Sequence, residues 1–182
     1  MGKLMTASEY IQKWRKNKVW THLEWPKHQE RLRWCAEQCV GQTFADLGCA
    51  LGHSTDIMRR FMAGDWTGID FDAGAIKDAA RLFPDITFKF VERPDLLGTL
   101  GQFDSVVCSE VIEHVKDAPA FLAEVVKLAR RRVALTTPHI DAHDPGHVRI
   151  YDDKTIAALL DGYEARIEKD KAFYKVSIRV GE

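Results

Sequence analysis

The chain has 182 residues, 46% of them hydrophobic and 29% charged, a globular composition that excludes a disordered or fibrous chain. Twenty-six Lys and Arg against 27 Asp and Glu leave a formal net charge of −1, which argues against holding nucleic acid mainly through a basic surface. No apolar run reaches the roughly 18 residues of a membrane span. Met1 to Tyr10 shows no signal core, and Cys35, Cys39, Cys49 and Cys108 form no C-x-x-C pair. A reduced, cytoplasmic setting is expected.

In chain order, the pattern predicts a helix over 7–17, rich in Lys, Arg and Trp, and a second over 27–40 after Pro26, a residue suited to a helix start. The second has Leu32, Cys35, Ala36 and Cys39 on one face. Residues 1–41 are expected to pack on, or form a lid over, a core spanning 42–182, the whole being one compact domain. From residue 42 the chain alternates. Strand-length apolar runs fall at Thr43–Leu47, Trp66–Asp70, Ile86–Val91, Phe103–Cys108 and Arg132–Thr136, and helical patterns at 53–62, 73–82, 111–128 and 152–161. Asp117 is the expected cap of the helix carrying Phe121, Leu122, Val125 and Val126. Nearly unbroken apolar strands separated by helices indicate a parallel sheet covered on both faces. Tyr163–Lys169 and Phe173–Val180, joined at Asp170-Lys171, read as a closing antiparallel hairpin. The expected fold is therefore α/β: a seven-stranded, mostly parallel, Rossmann-like sheet with helices on both faces and a C-terminal antiparallel hairpin.

The most informative segment is Phe44-Ala45-Asp46-Leu47-Gly48-Cys49-Ala50-Leu51-Gly52-His53, which ends the first strand and opens a helix. A ligand at the carboxyl end of the first strand is the default expectation for such a sheet; a tight turn without a ligand is the plain alternative. Asp70 ends the next strand, about twenty residues on, where a carboxylate can accept hydrogen bonds from both hydroxyls of a ribose. The alternative is a polar loop with Asp72 as helix cap. Asp46 places an acid where a dinucleotide-binding turn carries small or apolar residues. A carboxylate repels a pyrophosphate and suits a sulfonium, favouring S-adenosylmethionine over NAD.

FADLGCALGHST, WTGID, FDSVVCSEVIEHV, TTPH and the terminal hairpin together resemble the class I S-adenosylmethionine-dependent methyltransferases over about residues 26–180. The branch most similar includes ubiquinone-biosynthesis O-methyltransferases and glycan-modifying or uncharacterised bacterial and phage enzymes; the lead-in from Pro26 to Leu32 is similar to it as well. The resemblance implies the methyltransferase version of the sheet, with Asp46 near the methionine end of the cofactor. It implies that Gly48, Cys49 and Gly52 pass beneath the cofactor, that Asp70 binds the ribose, that Phe71 lies against the adenine and that Ser109 lines the pocket. Two departures stand out. The middle glycine of the usual turn is Ala50, and in place of a Gly-Asp after the third strand the chain has Val91-Glu92-Arg93-Pro94-Asp95, leaving Asp95 or Glu92 as candidate for the adenine amine.

Glu110, Glu113 and His114 share one face if that segment turns helically. With His147 they are candidate ligands for a divalent ion such as Mg or Mn, which could orient a substrate hydroxyl and lower its pKa. A similar Glu-x-x-Glu-His pattern binds a divalent ion in small-RNA 3′-end 2′-O-methyltransferases. Without a metal, His114, His147 and Glu113 are the candidate catalytic residues, His114 as general base. Pro138 to Arg149 holds His139, His143 and His147; His147, in the His-Val-Arg stretch, ranks first. The reading is a methyltransferase, with a small-molecule or saccharide hydroxyl as expected acceptor, and with a partner subunit or homo-oligomer left open. The alternatives are a metal-dependent RNA 3′-end 2′-O-methyltransferase, an NAD-dependent oxidoreductase and a non-catalytic partner subunit.

Overall fold

Residues 7–140, 144 and 146–181 are described in the computed structural model. Two helices lead in: α1 (Ala7–Asn17) and, after a 3-10 turn at Val19–Glu24, α2 (Pro26–Gln38). Strand and helix then alternate through β1 (Thr43–Leu47), α3 (His53–Phe61), β2 (Asp65–Asp70), α4 (Ala73–Leu82) and β3 (Thr87–Phe90). A 3-10 turn at Pro94–Leu100 precedes β4 (Phe103–Ser109). A short 3-10 turn at Ile112–His114 separates β4 from α5 (Ala118–Leu128), and β5 (Ala129–Pro138), α6 (Asp153–Leu159), β6 (Ala165–Lys169) and β7 (Phe173–Arg179) complete the chain.

The seven strands form one sheet in the order β3-β2-β1-β4-β5-β7-β6. β1, β2, β3, β4 and β5 run parallel, and β7 is antiparallel to both β5 and β6. The order reverses between β1 and β4, and open α/β sheets bind ligands at the carboxyl ends of strands beside such a reversal. The central parallel strands β1, β2 and β4 are buried on both faces, which is why they read as nearly continuous apolar runs, whereas β3, at the sheet edge, is only partly covered. One face carries α5, α6 and the Pro94–Leu100 turn on a core that includes Leu97, Phe121, Leu122, Val125 and Ile156. The other carries α2 and α3, with Leu32, Cys35, Ala36 and Met58 packed on Phe44, Val107 and Ala134.

Helix starts follow local capping chemistry. Asp72 accepts from the Ala75 N–H at the start of α4, Asp117 from the Ala120 N–H at α5, and Asp152 from the Thr155 N–H at α6; each satisfies an N–H left open by the first helical turn. The helix expected over 111–128 is a correction: only 118–128 is α-helical, and Glu110 takes a left-handed backbone with φ 60°. Glu110, Glu113 and His114 therefore do not share one helical face.

Candidate active site

A cavity of about 570 Å³ opens at the carboxyl ends of β1, β2 and β4, a size ordinary for a small-molecule site. Its floor is the turn after β1. Gly48 adopts φ +83°, and a Cβ there would sit 2.3 Å from Val111 Cγ2, so only glycine fits. Ala50 adopts φ 48°, also left-handed. The N–H groups of Gly48 and Cys49 both donate to Ile69 O (2.8 and 3.1 Å) and that of Gly52 donates to Cys49 O (2.8 Å). The Ala50 N–H donates to Asp70 Oδ2 at 2.8 Å. The turn is thus sewn to the end of β2, and these four donors are spent inside the protein.

Asp70 stands in the cavity wall. Its second oxygen accepts from the Asp72 N–H at 2.9 Å. Each carboxylate oxygen offers two lone pairs, so both retain capacity for a ligand after bracing the turn. Burial raises the pKa of Asp70, opposed by those backbone bonds. Phe71 and Phe121, with ring centroids 6.3 Å apart, share the wall with Leu51, Glu92, Arg93 and Pro94.

Three expected cofactor residues stand elsewhere. Asp46 is 2% exposed and absent from the wall; its Oδ2 accepts from Ser54 Oγ (2.8 Å) and Thr55 Oγ1 (2.6 Å), tying β1 to the first turn of α3. Burial pushes its pKa up to about 6 against these two bonds. Gly52 is likewise outside the wall; a Cβ there would meet Phe88 Cζ at 2.7 Å and Phe83 Cδ2 at 3.1 Å, so this glycine lets aromatic rings close on the turn. Asp95 pairs with Arg93 at 2.9 Å, both more than 60% exposed, so of the two candidates for the adenine amine only Glu92 lies in the wall. Gly48, Cys49, Asp70, Phe71 and Ser109 do line the cavity.

The other end holds the acid and imidazole groups. Glu113 is fully buried; Thr137 Oγ1 donates to its Oε2 at 3.3 Å, and its Oε1 has no hydrogen-bond partner. Burial, reinforced by Glu110, pushes its pKa well above the usual carboxylate range. His114 and His147 meet edge to face, 4.8 Å between centroids, and His114 Nδ1 lies 2.9 Å from Gly146 O. Burial lowers the pKa of His114, keeping the imidazole neutral and able to accept a proton near pH 7. One ligand atom from each of Glu113, His114 and His147 lies within 4.8 Å of the others. Glu110 departs from the expected four-residue set: it pairs with Arg31 at 3.3 Å and accepts from Thr136 Oγ1 at 3.2 Å. His139 lies by the hairpin, its Nε2 2.8 Å from Asp170 O; His143 falls outside the described residues.

Arg31 and His28 are among the wall residues not singled out from the sequence. Arg31, 3% exposed, donates from Nη1 to Ser109 Oγ at 2.9 Å, and His28 is 9% exposed. Their signal was present: both lie one helical turn before Leu32 and Cys35 on the apolar stripe of α2, and polar side chains on a buried stripe mark a polar site beneath it. The four cysteines are buried and their thiols pushed upward in pKa by burial, which leaves them protonated and unreactive.

A methyltransferase-domain family model matches residues 45–135, half of the chain, from within β1 to within β5. The chain belongs to this family of methyltransferase domains. It is similar to a probable S-adenosylmethionine-dependent methyltransferase of Mycolicibacterium smegmatis, 24% identical over 122 residues covering 66% of this chain and 47% of that protein. It is also similar to a ubiquinone biosynthesis O-methyltransferase of Albidiferax ferrireducens, 31% identical over 117 residues covering 58% of this chain and 46% of that protein. The chain thus spans less than half the length of these curated relatives. In fold it resembles the N-methyltransferase NodS from Bradyrhizobium japonicum, solved with S-adenosyl-L-homocysteine, with a TM-score of 0.66, 19% identity, and coverage of 90% of this chain and 92% of that one. None of the described helices is long and apolar enough to cross a membrane.

Proposed function

We propose that the chain is an S-adenosylmethionine-dependent methyltransferase acting on a hydroxyl of a small molecule or saccharide. The observation that carries the choice of cofactor is the hydrogen bonding of the turn after β1. A dinucleotide site presents turn N–H groups to a pyrophosphate, whereas here those of Gly48, Cys49, Ala50 and Gly52 are consumed internally. What the wall offers instead fits a nucleoside joined to an amino acid. Asp70 has capacity for ribose hydroxyls, Phe71, Phe121, Leu51 and Pro94 form an apolar slot for a base, and the Arg31–Glu110 ion pair offers a polar end for the carboxylate and ammonium of an amino acid. The surfaces of Gly48 and Cys49 and the Ser109 hydroxyl complete the set.

S-Adenosylmethionine supplies a methyl group bonded to a sulfonium, activated toward an incoming oxygen. The protein then has to align donor and acceptor, exclude water and take the acceptor's proton. Of the histidines in the cavity wall, His114 and His147 are the candidate bases, with Glu113 clustered beside them. The preference for oxygen rests on the ubiquinone-pathway relative, which is named an O-methyltransferase. Transfer of label from methyl-tritiated S-adenosylmethionine to hydroxylated small molecules, and its loss in His114→Ala, tests the assignment; label reaching only amines would overturn the oxygen preference.

The clustering of Glu113, His114 and His147 favours a second reading, in which these three hold a Mg or Mn ion. Such an ion would supply Lewis-acid polarisation of an acceptor hydroxyl, and a terminal cis-diol of RNA would be its natural bidentate acceptor. Titration with manganese decides: binding lost in Glu113→Gln but kept in Glu110→Gln supports it, and no binding to the wild type removes it.

A further inference from the structure

Four rings from outside the family-matched segment gather at one end of the cavity. His22 and His28 meet edge to face at 4.5 Å, His28 tilts against Phe173 of β7 at 5.6 Å, and Trp25 stands 6.5 Å from His22 and 6.1 Å from His28. His22 and His28 belong to the cavity wall; Trp25 is beside them at the surface, 58% exposed. His28 is 9% exposed, and its Nδ1 is buried without a hydrogen-bond partner, an arrangement costly enough in a folded protein to call for an explanation. Burial, with Arg31, His22 and Lys27 nearby, pushes its pKa down to about 3. It is therefore a neutral imidazole, one donor and one acceptor, across the physiological range. Arg31, the buried cation next to it, already faces Glu110.

We propose that His28, with His22 and Trp25, forms the acceptor subsite and selects an uncharged ring bearing a hydroxyl. The ring packs against the aromatic edges, and the imidazole of His28 hydrogen-bonds the hydroxyl. This rests on the methyltransferase reading above and adds the class of acceptor. The neutral imidazole gives no net attraction to a phosphate or carboxylate, the charge of Arg31 is matched by Glu110, and the Lys27 ammonium is already held over the Trp25 ring, 5.7 Å from its centroid. Rings on the wall reward a ring in the ligand. A phenol and a saccharide share this chemistry, and the two are separated by using both as probes.

The full chain is titrated by calorimetry with S-adenosylmethionine, then, saturated with S-adenosylhomocysteine, with catechol and with methyl glucoside. The variants are His28→Phe, which keeps a ring and removes the nitrogens, and Trp25→Ala, at an exposed position. Binding of at least one probe is expected, about tenfold weaker in His28→Phe and several-fold weaker in Trp25→Ala, with S-adenosylmethionine affinity within twofold of wild type in both. Catechol alone binding identifies a phenolic acceptor, and methyl glucoside alone a saccharide. Wild-type protein that binds S-adenosylmethionine but neither probe overturns the subsite, as does equal probe affinity in wild type and Trp25→Ala. If His28→Phe also loses S-adenosylmethionine binding, its effect is structural and Trp25→Ala decides. Absence of S-adenosylmethionine binding to the wild type is a separate result, which refutes the methyltransferase reading itself.

Discussion

Asp70→Asn separates the two duties of that carboxylate. In the folded chain one oxygen accepts from the Ala50 N–H at 2.8 Å and the other from the Asp72 N–H at 2.9 Å. An amide keeps one acceptor and turns an NH2 toward the other donor, so one charge-assisted bond is lost, about 1.5–3 kcal/mol. Relief of burying a charge offsets part of this, and a melting temperature lower by about 3–8 °C is expected for a chain of this size. On the ligand side the amide also loses one of two bonds to the ribose, so the Kd for S-adenosylmethionine rises about 10- to 150-fold. Calorimetric titration with thermal melting of the same samples reads both effects. Asp72→Asn is the control: asparagine caps a helix as well as aspartate, so affinity and melting temperature stay at wild-type values. Asp70→Asn that melts early yet binds with wild-type affinity would refute the reasoning and reduce Asp70 to a brace for the turn.

Asp46 takes up a proton on folding, because its pKa is raised from 3.8 to about 6. Its contribution is therefore most favourable below pH 4 and falls by about 3 kcal/mol as pH rises through 6; urea midpoints from pH 4 to 7 should show this decline in wild type minus Asp46→Asn, and a flat difference would contradict it. Ala50→Gly should raise the melting temperature by about 1–4 °C, because the φ of 48° costs alanine about 1–2 kcal/mol, partly offset by the greater freedom of unfolded glycine. Gly52→Ala should cost at least about 2 kcal/mol, seen as a melting temperature lower by about 4 °C or more, since its φ is +83° and the new Cβ would press on Phe88 at 2.7 Å.

The strands, the hairpin and the cap at Asp117 were legible because each rests on local pattern: apolar runs, a turn pair, a capping acid before Pro119. The turn after β1 and Asp70 were legible because two short motifs about twenty residues apart imply adjacent strand ends. The departures come from contacts that sequence spacing does not carry. Gly52 owes its need for a bare backbone to Phe88, 36 positions later and on β3, which lies two strands from β1. Asp46 looked like a ligand group, yet Ser54 and Thr55, the hydroxyl pair just past the turn, claim its carboxylate. The left-handed backbone at Glu110 breaks the helical spacing assumed for the acids and sends this side chain toward Arg31. Arg31 and His28 come from a helix outside the family-matched segment, so only their place on a buried stripe announced them.

The most direct test of the central claim is a paired calorimetric titration of the full chain with S-adenosylmethionine and with NAD. Four of the turn's N–H donors, those of Gly48, Cys49, Ala50 and Gly52, are spent inside the protein and Asp70 remains in the wall, so one equivalent of S-adenosylmethionine should bind with micromolar affinity while NAD gives no heat. Binding of NAD, or no heat with S-adenosylmethionine over the same range, would contradict the account.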